Sequence, residues 1–180
     1  MNLAELQEIA AREQEGRKPV RIRCCMAAGC LSSHSQALKQ RLEAAVAEAG
    51  LAEQVEVCGV GCMRLCSNGP LVAVDPPGAL YGRVTPDDAP AVVAALGDGA
   101  PAGGVEQIDP AHPFFAHQLP IVLENSGVID PERIESYIAA GGYQALYHAL
   151  HDMSPAEVLE AITASGLRGR GGAGYPTGLK

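Results

Sequence analysis

The chain has six cysteines, all of them in two short segments. One reads Cys24-Cys25-Met26-Ala27-Ala28-Gly29-Cys30. The other reads Cys58-Gly59-Val60-Gly61-Cys62-Met63-Arg64-Leu65-Cys66-Ser67-Asn68-Gly69-Pro70. Four residues separate Cys25 from Cys30, and three separate Cys62 from Cys66. Small residues surround both pairs, as tight loops need if backbone N–H groups are to turn toward sulfur. Four thiolates in two pairs suit a [2Fe–2S] cluster, one pair per iron, with Cys25, Cys30, Cys62 and Cys66 as ligands. Zinc is the first rival, although the ~C-x2-4-C spacing of structural zinc sites fits only loosely. Disulfides and inert buried thiols are the others. Cys24 and Cys58 fall on strand positions and read as inert, but spacing alone leaves open that either replaces a neighbour. Cys62 with Cys66 is preferred because Cys66-Ser67-Asn68-Gly69-Pro70 runs straight into the next strand.

Two loops that share a site must be brought together by the elements before them. Residues 2–15 carry Leu3, Leu6, Ile9 and Ala10 at helical spacing, closed by Gly16 and Pro19. Val20, Ile22 and Cys24 alternate with arginines, as in a strand. Ser33 and Ser35 are candidate N-caps for a helix to about Ala49, with Leu38, Leu42 and Val46 on one face. Val55 and Val57 form a strand into the second cysteine loop. Leu71–Val74 and Leu80–Val84 form a hairpin across Pro76-Pro77-Gly78. Thr85-Pro86-Asp87-Asp88 opens a helix to Leu96, stopped by Gly97. The resulting order is the core topology of a thioredoxin-like domain. Both cysteine loops follow parallel strands and therefore leave the same edge of the sheet.

The fold class is thus α/β: a thioredoxin-like domain over 1–97, a Gly/Pro-rich linker over 98–111, and a helical region over 112–180. In the last region a helix after Asp130-Pro131-Glu132 turns Ile134 and Ile138 inward. Gly141-Gly142 breaks it. Tyr143–His151 carries Leu146 and Leu150 four apart, and Ser154-Pro155-Ala156-Glu157 is a capping box. Phe114-Phe115 and the Leu119–Leu123 run are expected to pack within this region. The five histidines show no ligand spacing with the cysteines; His34 is the nearest in sequence.

With 47% hydrophobic residues, the 180-residue chain can bury a core, and its net charge of −8 argues against nucleic acid and anionic membrane surfaces. No run approaches the ~20 apolar residues of a membrane span. The start of the chain lacks a basic, then apolar, export pattern, so a cytoplasmic location is expected. There thiols stay reduced, which favours metal or redox roles for clustered cysteines.

The chain's last stretch, Gly166-Leu167-Arg168-Gly169-Arg170-Gly171-Gly172-Ala173-Gly174-Tyr175-Pro176-Thr177-Gly178-Leu179-Lys180, is neither a Walker loop nor a dinucleotide fingerprint directly after a strand. Its glycines would let backbone approach a phosphate, with arginine charge beside it. Taken alone it also reads as a flexible tail. Together with Glu124-Asn125-Ser126-Gly127-Val128-Ile129-Asp130-Pro131-Glu132-Arg133-Ile134, however, it resembles the start of the flavin subunit of NADH dehydrogenases, including the 51-kDa subunit of complex I. Residues 20–96 resemble the thioredoxin-like [2Fe–2S] domain. Both in one chain resemble the diaphorase flavoprotein subunit of bidirectional NAD-reducing [NiFe] hydrogenases.

That resemblance implies electron transfer between NAD(H), FMN and iron–sulfur clusters toward partner iron–sulfur subunits and a [NiFe] hydrogenase. It maps an FMN loop onto Gly169, Arg170, Gly171, Gly172, Gly174 and Lys180, and an adenine-stacking aromatic onto Tyr175. No acid–base residue is implied as catalytic, since hydride chemistry belongs to the cofactors. The family continues well beyond this length, with the rest of the FMN and NADH pocket and a [4Fe–4S] site. The expectation is a fragment that holds [2Fe–2S] but binds FMN poorly and does not oxidise NADH. The flavin subunits of formate dehydrogenase, complex I and bifurcating enzymes remain alternatives, as do a stand-alone ferredoxin and a zinc adaptor.

Overall fold

The computed structural model describes residues 2–98 and 102–180. The chain opens with α1 (Leu3–Glu15), closed at its N-terminus by a reciprocal Asn2/Glu5 capping box and at its C-terminus by Gly16. Strand β1 (Val20–Cys25) follows, then the one-turn α2 (Ala28–Leu31), the long α3 (Ser35–Glu48) and β2 (Val55–Val60). After a 3-10 turn at Cys66–Asn68 come β3 (Val72–Asp75), β4 (Ala79–Gly82) and α4 (Ala89–Asp98). Thr85 and Asp88 cap each other ahead of α4.

These strands build a five-stranded sheet in the order β2-β1-β3-β4-β5, where β5 is Glu106–Ile108. β1 lies in the middle region, parallel to β2 and antiparallel to β3. The β3–β4 hairpin turns at Pro76-Pro77-Gly78, with Val72 opposite Tyr81. This is the thioredoxin-like arrangement expected from the order of elements. Period-two alternation divides the core between the two faces. Ile22, Cys24, Val72 and Val74 pack with Leu38 and Leu42 of α3 and with Val92 of α4. Cys25, Cys58, Val60, Leu71 and Ala73 form a second apolar group with Cys30 and Met63. Leu38 and Leu42 are fully buried, and each contributes roughly 1.5–3 kcal/mol.

Four expectations need correction. Ser33 and Ser35 do not cap α3; the N-cap is His34, in left-handed conformation, while Ser35 is buried in the first turn. α4 does not stop at Gly97 but continues to Asp98. Residues 106–108, placed in the linker, instead pair with β4, Leu80 lying opposite Ile108. Residues 99–101 of that linker lie outside the described residues. Leu119, Ile121, Val122 and Leu123 are exposed rather than packed, and Ile134, Leu146 and Leu150 are also more than half exposed.

The remaining elements are α5 (Pro113–Ala116), α6 (Ile134–Ala139), α7 (Gln144–His151) and α8 (Pro155–Ala164). Ser154 and Glu157 form the expected capping box of α8. α6 buries Ile138 and rests on α1, where Arg133 makes a two-pronged ion pair with Glu13 at 3.0 and 2.8 Å. α7 also packs on α1. Among the described residues no helix is long and apolar enough to cross a membrane.

Candidate metal centre

Parallel pairing of β1 with β2 puts the ends of both strands side by side, with Cys25 in register with Val60. The chain is pinned there by Cys25 N–H to Leu71 C=O at 3.0 Å and Met26 N–H to Val60 C=O at 2.9 Å. Both cysteine loops leave from this point. Cys25 ends β1 and Cys30 sits in α2; both are essentially buried. Cys62 follows β2 and is half-buried, while Cys66 begins the 3-10 turn and is exposed.

The thiols of the two loops are electrostatically linked. Cys30 is pushed up to about 12, first by burial and then by its hydrogen bond with Cys25, and the charge of Cys66 across the gap adds to the shift. Cys66 is raised chiefly by Cys62, with a further contribution from Cys25. Each loop therefore senses the other's sulfur. Neutral thiols crowded in this way must release protons when they bind a metal.

Glycine lets the loops come this close. A Cβ on Gly69 would stand 3.0 Å from Cys30 Sγ, and one on Gly29 3.6 Å from Cys66 Sγ. Each loop therefore contributes a bare backbone surface against a sulfur of the other. The N–H of Arg64 donates to Cys62 Sγ at 3.3 Å, the kind of inward-turned amide expected around a sulfur-bound group.

Cys24 and Cys58 are engaged elsewhere. Cys24 belongs to the opposite face of the sheet, its Sγ donating to Ser35 C=O at 3.7 Å, and burial pushes it up to about 12. Cys58 packs beside Cys25 and Cys30. Its Sγ donates to Ile22 C=O at 3.7 Å and accepts from Arg21 Nη2 at 3.3 Å. Its thiol too is raised, mainly by burial.

Among the described residues, no three His, Cys, Asp or Glu side chains are gathered as a single metal ion requires. A two-iron group asks for only two protein thiolates at each iron, and two pairs are what the loops bring. The donor set and the glycine surfaces fit such a group. His34 is exposed at the start of α3, and His148 and His151 pair with Asp152 and Tyr147 on α7.

The glycine-rich stretch is a closed loop folded back on α8. Gly169 N–H donates to Tyr175 C=O at 2.9 Å, Thr177 N–H to Leu167 C=O at 2.8 Å, and Arg168 Nη1 to Gly174 C=O at 3.0 Å. Gly178 lies directly on Thr163. Space beside Gly171, Gly172 and Gly174 is open, and Tyr175 and Lys180 are exposed. Arg168, which braces this loop, was not singled out from the sequence. Ser126 and Gly127, quoted above only as part of the resemblance, contact the Cys62 loop.

No family model matches the chain. A 63-residue stretch is 57% identical to NADP-reducing hydrogenase subunit HndC of Solidesulfovibrio fructosivorans, covering 35% of this chain and 13% of that protein. A 64-residue stretch is 36% identical to a [2Fe–2S] ferredoxin of Clostridium pasteurianum, covering 36% of this chain and 63% of the ferredoxin. The chain is a relative of both. It therefore spans only a small part of the hydrogenase subunit's length. Among solved structures, the thioredoxin-like [2Fe–2S] ferredoxin of Aquifex aeolicus aligns with a TM-score of 0.47 at 24% identity, covering 52% of this chain and 99% of that one.

Proposed function

We propose that this chain is the electron-transfer part of an NAD(H)-linked oxidoreductase subunit of the hydrogenase-associated type. In this reading residues 1–97 hold a [2Fe–2S] cluster on Cys25, Cys30, Cys62 and Cys66, and residues 112–180 open an FMN- and NADH-binding domain. The observation that carries it is the meeting of two cysteine pairs at the ends of adjacent parallel strands, with Gly69 and Gly29 backed against Cys30 and Cys66. A cluster there supplies one-electron transfer, and the protein supplies ligands, burial and amide hydrogen bonds.

Similarity to the NADP-reducing hydrogenase subunit supports the hydrogenase-associated reading. The open face of the closed loop, at Gly171, Gly172 and Gly174, is where backbone could approach a flavin phosphate, beside Gly169 and Arg170. Lys180 would lie near the flavin, and exposed Tyr175 offers a ring for the adenine of NADH. The partners in this reading are iron–sulfur subunits and the [NiFe] hydrogenase subunits of a cytoplasmic complex.

The test is iron and acid-labile sulfide analysis of anaerobically purified protein, with EPR after dithionite reduction. About two irons and two sulfides per chain with an S = 1/2 signal are expected. One zinc without sulfide would overturn the assignment.

A further inference from the structure

The C-terminal region meets the Cys62 loop at the Ser126–Gly127 turn. Ser126 Oγ donates to the carbonyl of Cys62 at 2.7 Å. Arg23 Nη1 donates to the carbonyl of Gly127, while its Nε is paired with Asp75 at 2.5 Å. Gly127 has φ +77, and a Cβ there would fall within 3.1–3.2 Å of Met63 Cγ, Met63 Cα and the Cys62 carbonyl. Only glycine suits both that backbone conformation and that approach. Cys62 is thus held at two points: its sulfur by the N–H of Arg64, its carbonyl by Ser126.

We propose that the Ser126–Gly127 turn is a clamp on the cysteine loop, its two residues acting as positioning residues that fix Cys62 for the metal group. The inference rests on the reading of Cys62 as a ligand. It gives the C-terminal region a role in the cluster site: the region sets how far the half-buried Cys62 opens to solvent. Cys66, already exposed, lies outside the grip of the clamp.

The first experiment needs no cluster. The reduced, metal-free full chain is treated with iodoacetamide, and the alkylation rates at Cys62 and Cys66 are followed by mass spectrometry. Losing one hydrogen bond in Ser126→Ala should speed Cys62 about fivefold. Gly127→Ala adds steric overlap and backbone strain and should reach about tenfold or more. Cys66 should stay within about twofold, and Ser126→Thr, which keeps the hydroxyl, should restore the parental rate. Unchanged Cys62 rates in both alanine variants, or equal acceleration at Cys62 and Cys66, would overturn the clamp.

The second experiment compares the same proteins after reconstitution with iron and sulfide. Altered EPR g values and faster loss of the cluster in air are expected in the alanine variants. A parent that loads while the variants match it in every respect defeats the clamp and leaves the ligand reading standing. A parent that takes up no iron and sulfide defeats the ligand reading, and the alkylation rates still judge the clamp.

Discussion

Gly69→Ala is a sharp test of how the two cysteine loops fit. The backbone of Gly69 has φ −71 and ψ 155, which alanine adopts without strain. Taken alone, that would stabilise the chain by about 0.4–1 kcal/mol by restricting the unfolded state. Against this, the new Cβ would meet Cys30 Sγ at 3.0 Å and the Cys66 carbonyl at 3.4 Å. Cys30 is 1% exposed and fixed in α2, so its sulfur cannot swing into water. Overpacking of this kind costs about 1–3 kcal/mol, and the net expectation is a loss of about 1–2 kcal/mol. With a urea slope near 2 kcal/mol/M, the unfolding midpoint of the metal-free chain should fall by about 0.5–1 M. Gly29→Ala is the matched control. Its Cβ would lie 3.6 Å from Cys66 Sγ, an ordinary contact with an exposed side chain, and its site is helical. Alanine there should leave the midpoint unchanged or raise it, by up to about 1 kcal/mol of helix preference. Urea titration followed by circular dichroism reads both variants. Gly69→Ala unfolding at or above the parental midpoint, or both variants falling together, would refute the packing argument.

Two further predictions concern the thiols and the last helix. Cys25→Ser, Cys30→Ser, Cys62→Ser and Cys66→Ser should each lose or damage the cluster by iron and sulfide analysis. Cys24→Ser should spare it, because a hydroxyl can still donate to Ser35 C=O, and so should Cys58→Ser; a normal cluster in Cys62→Ser would sink the ligand assignment. In α8, hydrogen bonds from the Ser154 backbone and hydroxyl hold the Glu157 carboxyl below the usual glutamate value. A lowered folded value means the cap is in place above the ordinary range and lost as pH falls through the folded one. Amide exchange at the start of α8, corrected for intrinsic rates, should therefore speed up in acid. Glu157→Gln should remove that pH dependence.

The sheet domain was legible because its signals are local. Ile22 and Cys24 alternate with Arg21 and Arg23, Leu38 and Leu42 repeat at helical spacing, and Pro76-Pro77-Gly78 marks a hairpin. Each states its own geometry. β5 escaped because Glu-Gln-Ile is three residues long and mostly polar, too short to display a period. What holds it is tertiary: Ile108 against the second apolar group, and Glu106 beside Arg83 at 3.5 Å and Asn68 at 3.0 Å. The Leu119–Leu123 run shows the opposite failure. Its composition reads as core, yet the described residues bring nothing over it. The cysteine pairs were visible from spacing, whereas the bonds of Ser126 to Cys62 and of Arg23 to Gly127 join residues 64 and 104 positions apart in sequence. No window of sequence contains that relation.

The depth of the four cysteines has a chemical consequence of its own. Cys25 and Cys30 sit at the sealed end of the sheet with Val60 and Leu71, while Cys62 and Cys66 lie toward solvent. A group shared by all four is shielded on one side and reachable on the other. Shielding holds water away from the inner sulfurs and keeps their environment of low dielectric, which disfavours added charge. The outer pair is left as the side where charge is best solvated and where another redox group could approach. That outer side is also the one on which the Ser126–Gly127 turn rests. The same contact that steadies Cys62 therefore brings the C-terminal region to the exposed edge of the site, whereas the inner pair is closed off by the sheet and α2. In the proposed electron-transfer reading, this asymmetry gives one wall to hold the group and one thin enough to pass charge through.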